Sequence, residues 1–279
     1  MAFDATDEPL ERRPCRERTM KIVFLGDIVG KPGREAALTV VPILRAEYAP
    51  DLIVANAENV AGGWGITGEI ARALHAGGID VVTLGNHTWA KPDAYDFLGA
   101  ETRVLRPANY PPGAPGRGWG LYKTASGLTV GVANLIGRIF MEPLDDPFRA
   151  ADEVIAHLRP HTNVLFFDFH AETTSEKQAF GWYLDGRASA VVGTHTHVQT
   201  ADERVLPGGT AYITDVGMCG PENSVIGMDV SIVVERFRTQ LPHRFQVATG
   251  DPTRVCAVVV SVDPDTGRAT GIERISRLV

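Results

Sequence analysis

From Met20 onward, short apolar runs that end in Gly, Asp or Asn alternate with stretches of helical spacing. Residues 22–25 read as a strand, followed by a loop over 27–33 and a helix over about 35–48, with Pro42 placed to kink or interrupt it. Residues 52–55 form the next strand and 67–76 the next helix, with Thr67 as its N-cap. A third strand at 81–84 and a short helix at 93–98 complete the first third. Strand–helix alternation of this kind predicts a largely parallel sheet flanked by helices.

The middle changes character. Residues 107–120 are rich in Pro and Gly and read as a loop, and 120–124 with 128–134 read as hairpin strands. Alternation resumes with a helix at 149–158, a strand at 164–169, a helix at 175–184 and a strand at 190–192. The end is richer in β pattern, with strands at 211–214, 254–262 and 271–275 and a helix or strand at 230–238. No repeat, low-complexity tract or linker interrupts residues 20–279, which read as a single α/β domain with a mixed second sheet. Residues 1–19 are polar and charged, and read as a disordered extension or as the product of a start codon placed too far upstream.

Composition narrows the class. With 279 residues, 44% hydrophobic, the chain can bury a sizeable core, and its longest apolar runs are strand-length, too short to span a membrane. Acidic residues number 34 against 27 Lys and Arg, a net charge of −7 that argues against non-specific binding to nucleic acid or anionic lipid. Cys15, Cys219 and Cys256 are scattered without CxxC spacing, and the N-terminus lacks an apolar signal core, so the expectation is a cytoplasmic protein without disulfides.

The chemistry gathers where strands end. In an α/β sheet, ligands bind beyond the carboxyl ends of the strands. Those ends carry Asp27, then Glu58 and Asn59, then Asn86 and His87, then His170, then His195 and His197. Each piece alone has a bland explanation: Gly26-Asp27 is ordinary turn chemistry, and His170 an ordinary hydrogen-bonded imidazole. Five clusters of carboxylate, amide and imidazole at successive strand ends make an inventory for metal ions. His195-Thr196-His197 is the sharpest element. If extended, it points both rings the same way, so that each can reach one ion of a pair roughly 3.5–4 Å apart, which Glu58 could bridge.

These residues resemble those of the calcineurin-like metallophosphoesterases, whose order is Gly-Asp-x-His, Gly-Asp, Gly-Asn-His, a lone His and Gly-His-x-His. This chain has Gly26-Asp27-Ile28-Val29, Ala57-Glu58-Asn59, Gly85-Asn86-His87, His170 and Gly193-Thr194-His195-Thr196-His197. Val29 stands where the usual His would be, and Glu58-Asn59 replaces the usual Gly-Asp. Both departures are similar to the YmdB-like branch, and the resemblance runs from about Met20 to the C-terminus. It implies a metallophosphoesterase-like sandwich of two mixed β-sheets flanked by helices. Asp27, Asn59 and His197 would hold one ion, and Asn86, His170 and His195 the other, with Glu58 bridging and Asn59 compensating for Val29. Iron is the first metal expected, with manganese, cobalt or zinc as alternatives. His87 matches the family's proton donor. The implied function is hydrolysis of a small-molecule phosphodiester, a cyclic nucleotide with 2′,3′-cyclic forms included. The alternatives are a phosphomonoesterase or nucleotidase with the same site, or a regulatory nucleotide- or partner-binding module with little turnover. A homo-oligomer is compatible with all three.

Other features are read as structural. Gly26–Lys31 has one residue too few between its glycines for a phosphate loop, and Pro32 follows the lysine. Gly62-Gly63-Trp64-Gly65 could bring backbone close to a ligand and a ring over a base, but reads first as a flexible loop with one buried Trp. Cys219 reads as a packed thiol, and His75, His157, His161 and His243 as surface or structural residues.

Overall fold

The computed structural model describes residues 19–279; the reading of residues 1–18 as an extension lies outside them. The larger sheet comprises β1 (Met20–Leu25), β2 (Asp27–Ile28), β3 (Leu52–Asn56), β4 (Val81–Thr83), β5 (Val104–Leu105), β12 (Met218–Pro221), β13 (Thr253–Val262) and β14 (Ala269–Leu278). The smaller sheet comprises β6 (Trp119–Lys123), β7 (Thr129–Ile136), β8 (Val164–His170), β9 (Ala190–Thr194), β10 (Arg204–Val205) and β11 (Ala211–Ile213). Both are mixed. The strand order is β2-β12-β13-β1-β3-β4-β5 in the first, with β14 paired to β13, and β10-β11-β9-β8-β7-β6 in the second.

Alternation of side chains along each strand builds the layers. On β1, Met20, Ile22 and Phe24 enter a core between the two sheets, while Val23 and Leu25 face the opposite way. On β8, Val164 and Phe166 enter that same shared core, and Leu165, Phe167 and Phe169 face outward. Phe24 and Phe166 stack across the sheets with ring centroids 5.5 Å apart. Helices cover the outer faces: α1 (Gly30–Tyr48), α2 (Gly68–Ala76) and α3 (Ala94–Ala100) on the larger sheet, α4 (Pro147–Leu158) and α5 (Thr174–Tyr183) on the smaller. This is the expected sandwich of two mixed sheets flanked by helices. Among the described residues no helix is long and apolar enough to cross a membrane.

The structure refines the local expectations at three places. The loop expected at 27–33 is short, because Asp27 and Ile28 pair with β12 and the helix begins at Gly30. Pro42 lies inside α1 without ending it. The segment of undecided type is a helix, α6 (Val230–Thr239), whose N-cap Asp229 accepts from Ile232 N at 3.1 Å. Thr67 caps α2 as expected, accepting from Ile70 N at 3.3 Å. Cys219 is buried and unpaired, and burial pushes its thiol pKa up, so it is a packed thiol and not a nucleophile.

Candidate metal centre

In the larger sheet β1, β3 and β4 are parallel, and in the smaller β7, β8 and β9 are. Their carboxyl ends therefore lie along one rim of the sandwich. Asp27 opens β2 just past β1. Glu58 and Asn59 follow β3, Asn86 and His87 follow β4, His170 ends β8, and His195 and His197 follow β9.

The structure brings these residues together in two halves. In one, His170 Nε2 lies 3.0 Å from Asn86 Oδ1, 3.0 Å from His195 Nδ1 and 3.2 Å from Glu58 Oε1. In the other, Asn59 Nδ2 lies 3.1 Å from His197 Nε2, which is 3.9 Å from Asp27 Oδ1. Glu58 Oε1 also accepts from Asn59 Nδ2 at 3.1 Å, so one carboxylate oxygen faces both halves. Asn59 turns its amide nitrogen, not its oxygen, toward this centre, and its Oδ1 meets His87 Nδ1 at 2.8 Å. To ligate an ion it must turn the amide over, a two-fold choice that conserves its shape. Gly85 closes the cradle: a Cβ there would overlap His170 Nε2 and Glu58 Oε2, so no other residue fits behind the cluster.

The extended geometry expected for His195-Thr196-His197 does not occur. β9 stops at Thr194, and His195 and His197 take φ values of 98° and 65°, left-handed backbone that non-glycine residues rarely adopt. The two rings consequently diverge, one to each half of the cluster. What holds this strained turn is a buried acid. Asp215 accepts from Thr196 N at 3.1 Å, Thr196 Oγ1 at 2.7 Å and Gly217 N at 2.8 Å, and is paired with Lys177 Nζ at 2.6 Å. Removing one partner of such a buried pair typically costs about 3–5 kcal/mol.

Further partners orient the rings from behind, and the motif reading missed them. His170 Nδ1 meets Thr194 Oγ1 at 2.9 Å, and that hydroxyl donates to Asp168 at 2.7 Å, which also accepts from Thr83 and Asn56. His195 Nε2 pairs with Glu172 at 2.9 Å. Ring nitrogens fixed in this way leave the opposite nitrogen for an ion. Asp168 carried a readable signal, an acid inside the apolar run of β8. Val29, where the usual histidine is missing, is fully buried in an apolar cluster with Met218, Met228 and Val233.

The charges are those of a cation site. Asp27 Oδ1 is buried and has no hydrogen-bond partner, a costly state that a cation would relieve. Burial, resisted by His197 and His170, raises the Asp27 carboxyl pKa. Burial would raise Glu58 too, but the charge and hydrogen bond of His170, with those of His87, hold it well below the usual range. Burial would depress His170, yet Glu58 above all, then Asp27 and Asp168, lift it to about 9. Burial and the neighbouring His170 charge push His195 down to about 3. Glu58, His170 and His195 offer ligand atoms that all lie within 4.8 Å of one another. The donor set and the orphaned Asp27 oxygen fit metal ions.

A proton on His170 thus occupies the place of a cation, and metal must displace it. Uptake of metal at pH 7 is expected to release about one proton per chain from His170, and affinity to rise roughly ten-fold per pH unit until about pH 9. In the metal-free protein the sign is opposite. The raised pKa stabilises the fold below pH 6.5, and that contribution fades as pH rises through about 9. Calorimetric titration in buffers of different ionisation enthalpy counts the proton; a count near zero at pH 7 would show that His170 carries no proton for the metal to displace.

Comparison with known proteins places this site in context. The sequence model of the YmdB-like protein family matches residues 23–275. The chain is 53% identical over 256 residues to a 2′,3′-cyclic-nucleotide 2′-phosphodiesterase of Bacillus subtilis (strain 168), spanning 92% of this chain and 96% of that protein. A crystal structure of a hypothetical protein from Thermus thermophilus superposes with a TM-score of 0.86 at 42% identity, covering 93% of this chain and 99% of the other. A crystal structure described as a novel phosphatase from Mycoplasma pneumoniae gives 0.87 at 33% identity, covering 94% of each.

Proposed function

Because the chain belongs to the YmdB-like protein family, we propose that it is a metal-dependent phosphodiesterase that hydrolyses cyclic nucleotides, 2′,3′-cyclic forms among them, at the rim where the two sheets meet. The observation that carries this reading is Glu58. It is 1% exposed, and one of its oxygens faces an imidazole–amide set on each side, so this carboxylate could be shared between two ions. Asp27, Asn59 and His197 would hold one ion, and Asn86, His170 and His195 the other. Imidazole nitrogens with carboxylate and amide oxygens, and no thiolate, suit iron, manganese, cobalt or zinc, with iron the family expectation.

Bound ions would supply charge for the phosphoryl oxygens and acidify water enough to make a nucleophile near neutral pH. The chain's own residues do the rest. His87 is the general acid: Asn59 engages its Nδ1, its backbone N–H donates to Glu58 Oε2 at 3.0 Å, and its ring lines the cavity over the cluster. Its second nitrogen is thereby left to protonate the departing ribose oxygen. The relay from Asp168 through Thr194 keeps His170 in register, and Asp215 keeps His195 and His197 apart. Among the described residues no Lys or Arg lines this cavity, which suits the single charge of a diester better than the dianion of a monoester. Free Cys219 and Cys256 accord with a reducing cytoplasmic setting.

Elemental analysis of freshly purified protein, with rates on a panel of monoesters, linear diesters and cyclic nucleotides, tests the reading. Two ions per chain and fastest turnover of cyclic diesters are expected; faster monoester cleavage would make it a phosphomonoesterase. Two ions with no turnover of any ester would make it a binding module.

A further inference from the structure

A cavity of about 340 Å³ opens on the ligand cluster, and its wall is divided by chemistry. On one side lie Glu58, Asn59, His87, His195 and His197; on the other lie Trp64, Val225, Met228, Val233, Phe237 and Phe245. Apart from the Trp64 indole N–H, every hydrogen-bonding side chain on the wall belongs to the metal and acid set. The apolar side is preformed. Met228 and Val233 are buried in the small core that Val29 also enters, and Trp64, Val225 and Phe245 pack against it. Replacement of the usual histidine by Val29 thus serves this wall as well as removing a ligand.

Two large apolar groups beside the site remain open to solvent: Phe237 on α6 is 73% exposed and Ile226 is 48% exposed. Ile226 has a φ of 47°, an outlier for a β-branched residue, and its carbonyl accepts from His197 Nδ1 at 2.8 Å. The segment that forms the apolar wall therefore also orients His197, tying the wall to the ligand cluster. Trp64, read from sequence as a buried ring in a flexible loop, is only partly buried and lines this cavity.

We propose that this wall is the nucleobase subsite, with Trp64 and Phe237 as its stacking surfaces while the phosphodiester lies on the ligand cluster. The cavity has the scale of small-molecule sites. Apart from the Trp64 indole N–H, no side-chain donor or acceptor outside the cluster lines the cavity beside the base. It is therefore selected by its stacking area and not by its hydrogen-bonding edge, so adenine and guanine are treated alike and both are preferred to pyrimidines. The proposal rests on the phosphodiesterase reading for its substrate, but not for its binding.

The test compares wild-type holoenzyme with Phe237→Ala, a change at an exposed ring that the fold does not need, and with Trp64→Leu, which keeps apolar bulk. The substrates are 2′,3′-cyclic AMP and ethylene phosphate, a five-membered cyclic diester without a base. Each variant is expected to lose about 5- to 100-fold in kcat/KM on the nucleotide, mostly through KM, with little change on ethylene phosphate. Purine 2′,3′-cyclic nucleotides should exceed pyrimidine ones by about 5-fold or more in wild type. Equal losses on both substrates, no loss in either variant, or no purine preference would overturn the subsite. If wild type cleaves neither substrate, the phosphodiesterase reading fails by itself. Calorimetric binding of 2′,3′-cyclic AMP then decides: affinity that falls in both variants upholds the subsite, and absent or unchanged affinity overturns it.

Discussion

Glu58→Ala is expected to abolish turnover and the binding of both ions together. The side chain is 1% exposed, its Oε1 faces His170 and Asn59, and its Oε2 accepts from the His87 backbone N–H. In the proposed assignment, removing it takes a ligand from each half and, among the described residues, the only carboxylate that faces both. The loss in turnover should therefore exceed the roughly 10–100-fold that follows loss of a partner that merely orients a ligand. Metal content should fall with it. Glu58→Gln separates charge from shape: it can keep an acceptor for His87 N–H, but it cannot neutralise two ions or hold a proton on His170. Without Glu58's charge the main cause that lifts the His170 pKa to about 9 is gone, so it should titrate well below that value in both variants, as ring proton resonances can follow. Retention of two ions with near-normal turnover in Glu58→Ala would show that Glu58 does not bridge.

The gathering of these residues at one rim was legible because strand ends are legible. Apolar runs such as those of β1, β3 and β8 announce themselves by residue type, and the polar residue that follows each is placed by the fold's geometry. Backbone strain was not legible. Nothing in the residue types of His195, His197 or Ile226 announces positive φ, because that conformation is imposed by partners distant in sequence: Asp215 for the Thr196 turn, and the His197 ring for the Ile226 carbonyl. Short strands were invisible for the same reason. β12, with Gly220 and Pro221, has no β-rich signal, and exists because β13 and β2 pair with it. The apolar wall escaped because Trp64 and the segment from Val225 to Phe245 lie far apart along the chain, and only the packed cluster with Val29 joins them.

His87→Ala is expected to cost about 10²–10⁴ in turnover of 2′,3′-cyclic nucleotides while both ions stay bound. His87 follows the proposed ligand Asn86, its side chain is 30% exposed, and it meets the cluster through Asn59 and Glu58, outside the proposed ligand count. A ribose oxygen is a poor leaving group and needs a proton as the bond to phosphorus breaks, whereas p-nitrophenolate departs without one. The loss should accordingly shrink toward unity on p-nitrophenyl diesters. His87→Asn serves as the companion variant, since its amide can pair with Asn59 in either orientation of that side chain but cannot deliver a proton at neutral pH. Equal losses on good and poor leaving groups in both variants would point to substrate positioning. Loss of one ion in His87→Ala, with recovery in His87→Asn, would make the ring a support for Asn59. Unchanged turnover on every ester would leave the proposed chemistry without its acid.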